Sequence, residues 1–181
     1  MSQPYTRGMR AKKRLAKCAI YFLMILISFL LLSDPNFSFW GLKPNLLIPL
    51  CTMIAVWEGE FTGALVGAGC GLLMDMALRS LLGFHGILMM LLMFFCGFGV
   101  KYLLRPHFLN CFLLTAASAL LDMLLDYGVY YQLFDYPYAG EFFLRSYLPQ
   151  YFLTLLFVPV FFFPVRWIAR RFRFSGAPGR P

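Results

Sequence analysis

Three aspartates lie inside long apolar stretches. Asp75 closes the run GALVGAGCGLLMD, residues 63–75, while Asp122 and Asp126 fall within ASALLDMLLDYGVYY, residues 117–131. Asp122, Asp126 and Tyr130 recur every four residues, so a helix sets them on one face. Two carboxylates one turn apart can share a proton or hold a cation. They can also act as general acid and base. No obvious nucleophile and no set of metal ligands accompanies them, which favours structural or interhelical hydrogen bonding, with ligand or ion binding as the second reading. An acid at the centre of a membrane helix costs about 2.5–3.5 kcal/mol on insertion scales, less toward the ends. Arg79, one turn after Asp75, offers an interfacial ion pair. The sharper alternative is a polar contact from Asp75 that fixes the turn RSLLGFHG, residues 79–86, or a partner.

Asp75 also continues a glycine series. Gly59, Gly63, Gly67 and Gly71 are spaced by four, which on a 3.6-residue helix makes a slowly winding smooth stripe. In lipid, small residues let helix backbones approach and pack. Gly63, Gly67, Gly71 and Asp75 are therefore expected to form a close-packing face, either inside the same bundle or against a partner's helix. Gly97 and Gly99 suggest close packing of the following helix. Glu58 and Glu60, flanking Gly59, read as solvated caps favoured by a helix dipole. His85 and His107 are isolated in sequence, and the five cysteines show no CxxC, so no metal or cofactor is expected and the thiols read as small buried side chains. No phosphate-binding GxxxxGK[ST] loop occurs.

The elements that must hold these residues follow from composition. Of 181 residues, 61% are hydrophobic and only 13% charged; mean hydropathy is +0.72. A soluble domain is usually about 25% charged. Continuous apolar runs, rather than alternation, point to helices that use the bilayer as solvent. The runs are 18–32, 44–57, 61–78, 84–100, 108–133 and 147–165. The first follows a basic start and reads as a retained signal anchor, with SDPNFSFWG, residues 33–41, as the next loop. The run 44–57 is short for a span and opens on Pro44, which suits a first helical turn. Charge decides whether it crosses. With six crossings, thirteen Lys and Arg fall on the side of both termini and only Lys43, Arg79 and Arg145 on the other; with five crossings the two sides are equal. The positive-inside rule selects six helices with both ends cytoplasmic. The chain thus divides into a basic tail, 1–17, a membrane domain, 18–165, and a second basic tail, 166–181, with an aromatic interfacial segment at 134–146. Basic ends of this kind meet anionic lipid; nothing supports nucleic-acid binding.

The motifs KPNLLIPL, the acidic turn, GALVGAGCGLLMDMALRSLLGFHGI and ASALLDMLLD resemble those of the rod shape-determining protein MreD family. The matching positions are Pro44, Gly63, Gly67, Gly71, Leu72, Asp75, Leu82 and Gly83; Asn45 stands where many relatives are expected to carry an acid. The resemblance spans roughly residues 15–170. It implies an all-α polytopic membrane protein, a six-helix transmembrane bundle similar to the substrate-binding subunits of energy-coupling factor transporters. It also implies no enzymatic activity and no cofactor. The implied role is a scaffold for cell shape and lateral peptidoglycan synthesis in the bacterial cytoplasmic membrane. Its implied partners are an MreC-like bitopic protein, RodA with a penicillin-binding transpeptidase, and indirectly the MreB cytoskeleton. Two rivals remain at this level. A substrate-binding subunit of a small-molecule, vitamin-type transporter would make Asp122, Asp126 and the tyrosines a ligand site. Such subunits typically carry Ala-x-x-x-Ala spacing on the first helix, and CAIYFLMILISFLLL, residues 18–32, lacks it. A membrane enzyme would want His, Arg and acidic residues converging on one site, and those are sparse.

Overall fold

The computed structural model describes residues 7–34, 36–38, 41–78, 81–129 and 143–172. Most of the described residues are helical, and none lies in a strand. The α-helices are α1 (Arg7–Ser33), α2 (Leu47–Glu58), α3 (Glu60–Leu78), α4 (Phe84–Tyr102), α5 (Phe108–Tyr127), α6 (Leu148–Leu156) and α7 (Val158–Arg171), and a π-helical turn, Phe143–Tyr147, leads into α6. α6 and α7 belong to one apolar span, Arg145–Arg171, so the described residues form six transmembrane rods, five of them long and apolar enough to cross a bilayer. The break between α6 and α7 falls at Phe157. Pro159 has no N–H to offer the Leu155 carbonyl and its ring crowds that carbonyl, which interrupts the hydrogen-bond ladder at this point.

The sixth rod is α2, and it differs from the rest. Its 12 residues extend about 18 Å. Every residue from Leu47 to Val56 is buried. α2 is the axis of the molecule: its residues contribute to both apolar cores. One core joins Leu50, Met53, Ile54 and Val56 to Tyr21, Val100, Val158, Phe162 and Val165. The other joins Leu47, Ile48, Cys51 and Ala55 to Cys70, Met74, Met89, Met93 and Ala119. The helix starts later than the sequence suggested. Pro44 lies in a buried lead-in, and Pro49 occupies the first turn instead, where its missing N–H has no intrahelical partner to lose.

α2 passes into α3 through a single residue. Gly59 has φ 100° and ψ 176°, a conformation essentially reserved for glycine. The acids beside it are not solvated caps. Lys17 on α1 donates to Glu58 at 2.7 Å and the Tyr21 hydroxyl donates to it at 2.8 Å. Glu60 is buried and ion-paired with Lys101 at the end of α4. This layer marks one end of the bundle. Lys12, Lys13, Arg14, Lys17, Lys101, Arg105, Arg166, Arg170 and Arg171 all lie toward it, whereas Lys43 and Arg145 lie at the opposite end. α1 therefore begins, and α7 finishes, at the same end. Helix reaches back to Arg7 and on to Arg171, into both stretches read above as tails.

Candidate functional site

α3 and α4 run antiparallel as the tightest pair in the bundle, and glycine makes that approach possible. A β-carbon placed on Gly63 would fall 2.5 Å from the Ala55 β-carbon and 3.2 Å from the Met93 carbonyl oxygen. On Gly67 it would fall 2.6 Å from the Met89 carbonyl oxygen, and on Gly71 it would fall 2.5 Å from the His85 carbonyl carbon. Gly97 makes the reciprocal contact, its β-position 2.7 Å from the Glu60 α-carbon. The stripe is thus buried against α4 and α2 and is not open to another molecule's helix. Gly99 and Gly69, by contrast, face open space.

Where the stripe ends, the chain turns. Gly83, at φ 96°, caps α4 in the left-handed region. The Asp75 carboxylate holds this turn. One oxygen accepts the Gly83 N–H at 2.7 Å; the other accepts the His85 N–H at 3.3 Å and lies 2.7 Å from His85 Nδ1. Asp75 and His85 are 1% and 0% exposed, so this is a buried pair rather than an interfacial one. Arg79, the alternative partner for Asp75, lies outside the described residues, as does Tyr130. Leu82 points outward from the turn.

The polar chain continues across the bundle. His85 Nε2 is 3.5 Å from an Asp126 oxygen, and the other Asp126 oxygen accepts the Tyr147 hydroxyl at 2.8 Å. Asp75 on α3, His85 on α4, Asp126 on α5 and Tyr147 before α6 are thereby linked. The Asp75–His85 and Tyr147–Asp126 contacts are charge-assisted hydrogen bonds, the strong ones in a protein interior, whereas His85 and Asp126 meet at the longer distance of an ion pair. A carboxylate–imidazole–carboxylate series can relay a proton, but among the described residues no activated nucleophile adjoins it. No group of three or more His, Cys, Asp or Glu among them could hold a metal ion.

Beside this chain is a cavity of about 150 Å³, lined on its polar side by Asn45, Asp122, Asp126, Tyr147, Gln150 and Thr154. Apolar walls come from Leu32, Ile48, Met74, Leu78, Ala119 and Met123. The Asn45 N–H donates to Thr154 Oγ1 at 3.0 Å and its side-chain amide donates to the Met74 sulfur at 3.1 Å.

This architecture accompanies a sequence match. A family model described as rod shape-determining protein MreD matches residues 10–172. The chain belongs to the MreD family. No curated protein and no solved structure gives a match. In this MreD-family chain, the residues that carried the resemblance are placed as a unit: Gly63, Gly67 and Gly71 seat α3 on α4, Asp75 ties the end of α3 to the turn, and Gly83 supplies one of the N–H groups it holds. Asp122 and Asp126 come together at the cavity wall. Sequence reasoning missed His85, whose partners are 10 and 41 positions away, and it missed Asn45, Tyr147 and Thr154 as lining groups. A usable signal for His85 was its place just past a left-handed glycine, opposite an acid that ends the preceding helix. Cys51, Cys70, Cys96 and Cys111 are buried as expected; Cys18 is exposed on α1, where an unpaired small residue meets lipid.

Proposed function

We propose that this MreD-family protein is a non-enzymatic membrane scaffold of the rod complex, needed for cell shape and lateral peptidoglycan synthesis. It sits in the bacterial cytoplasmic membrane with its basic end toward the cytoplasm, as the positive-inside rule requires. Its partners are an MreC-like bitopic protein, RodA with a penicillin-binding transpeptidase, and indirectly the MreB cytoskeleton; its basic ends meet anionic lipid. The observation that carries the reading is the family match over residues 10–172. The geometry is consistent with it. The glycine stripe and the buried polar chain serve to lock six rods into one body, and the residues left facing outward are large and apolar, such as Phe22, Leu65, Phe95 and Phe152. A partner's helix would meet those faces rather than Gly63, Gly67 or Gly71.

The second reading, a substrate-binding subunit of a small-molecule transporter, draws on the cavity beside Asp122. Affinity capture of the tagged protein from its native membrane in mild detergent separates the two. Recovery of an MreC-like protein with RodA or a transpeptidase is the expected result. Recovery of an ATPase pair with a transporter's coupling subunit would overturn it.

A further inference from the structure

Two residues of the cavity lining each carry a buried acceptor without a donor. Asp122 is 5% exposed and Asn45 is 6% exposed. Asp122 Oδ1 and Asn45 Oδ1 are buried and have no hydrogen-bond partner among the described residues. Both residues line the same space and come from different elements: Asp122 from α5, Asn45 from the lead-in to α2. An unsatisfied buried acceptor costs about 1–3 kcal/mol, and more when charged. Two neighbouring groups are already engaged. Asp126 takes the Tyr147 hydroxyl, and Thr154 takes the Asn45 N–H while donating to the Gln150 carbonyl.

The electrostatic balance of the lining points the same way. Among the described residues the wall carries Asp122 and Asp126 and no Lys or Arg, the basic group beside it being His85, 3.5 Å from Asp126 and already paired with Asp75. The space wants hydrogen-bond donors and positive charge. No described group of ligating side chains suits a metal ion. An inorganic cation would also leave the apolar walls of Leu32, Ile48, Ala119 and Met123 unused. A cavity of 150 Å³ is about the size that accommodates a benzene-sized molecule.

We propose that the cavity between α1, α3, α5 and α6 is a binding site for a primary ammonium group on a small organic body, with Asp122 and Asn45 as its acceptors. Two sources supply that chemistry: the headgroup of an aminophospholipid, or a free small amine. The proposal is independent of the scaffold reading.

The full-length protein, purified in detergent, provides the test. Thermal unfolding and native mass spectrometry are followed while phosphatidylethanolamine, phosphatidylcholine or free ethanolamine is added. Phosphatidylethanolamine is expected to raise the unfolding temperature saturably and to remain bound. Phosphatidylcholine, whose quaternary nitrogen carries no N–H, is expected to bind at least about tenfold more weakly. A saturable shift with ethanolamine alone would also support the site and assign its source as a free amine. The Asp122→Asn variant is expected to erase the preference. Equal shifts for both lipids with none for ethanolamine, no shift with any addition, or a preference surviving intact in a folded Asp122→Asn variant would overturn the proposal. The comparison of ammonium with quaternary nitrogen uses the unaltered protein and stands even if the variant fails to fold.

Discussion

Removing the Asp75 carboxylate would strand three donors at once: the N–H groups of Gly83 and His85 and the His85 ring nitrogen. Asp75→Ala is expected to destabilise the protein by about 3–5 kcal/mol, the range for breaking a buried pair. Asp75→Asn keeps an acceptor and should cost about 1–2 kcal/mol. Unfolding in mixed micelles, followed by circular dichroism, measures both. Since Asp75 and His85 act as a pair, the double variant Asp75→Ala/His85→Ala should cost less than the sum of the singles by about 1–3 kcal/mol. At Asp126 the bond to Tyr147 predicts the same order, with Asn tolerated better than Ala; equal losses would mean that charge, not hydrogen bonding, is what the position supplies. At this scale the sequence was half legible. Acids in apolar runs stand out because hydrocarbon penalises them, so Asp75, Asp122 and Asp126 could be picked by eye. The groups that satisfy them could not: His85 and Tyr147 are ordinary residues in sequence and become partners only when α4 and α6 pack beside α3 and α5.

The α3–α4 hairpin is the element that the glycines build, and its tolerance to substitution should be sharply asymmetric. Gly71→Ala pushes a methyl group into the His85 backbone and is expected to cost about 1–3 kcal/mol. Gly67→Leu, against the Met89 carbonyl, should separate the two helices and lower the yield of folded protein severely. Gly69→Ala, on the same helix with open space around it, should be neutral or stabilising by up to about 1 kcal/mol. Thermal unfolding in detergent ranks all three, and a loss for Gly69→Ala equal to that for Gly71→Ala would sink the packing account. The stripe itself was readable because spacing by four projects onto one helical face. What it packs against was not, since a smooth face suits a neighbouring helix of the same chain and a foreign one equally well. The α2–α3 joint was misread for a related reason. Glu58 and Glu60 look like solvent-facing caps until Lys17 and Lys101, each 41 positions away, arrive beside them.

For the whole molecule, the segregation of charge predicts an orientation. In a background with Cys18 replaced by Ser, Arg105→Cys is expected to react with a membrane-impermeant thiol reagent only from the cytoplasmic side, and Lys43→Cys only from the opposite side. Labelling of both from one face would refute a crossing by α2. Number and order of the rods were legible because hydropathy and basic residues obey the bilayer, a solvent common to all such chains. The central position of α2 was not, because periodicity shows which residues avoid water but not whether lipid or protein replaces it. That position also bears on how the protein is made. During synthesis a segment meets lipid before its later neighbours exist, and a helix of about 18 Å cannot cross about 30 Å of hydrocarbon unaided. α2 therefore has no stable resting place at the moment it emerges. It must wait at the membrane surface or within the insertion machinery until α3 and α4 have closed on each other and α7 has arrived to cover its other side. The second helix to be synthesised is thus expected to be among the last to settle, once the final rod that covers it is in the membrane.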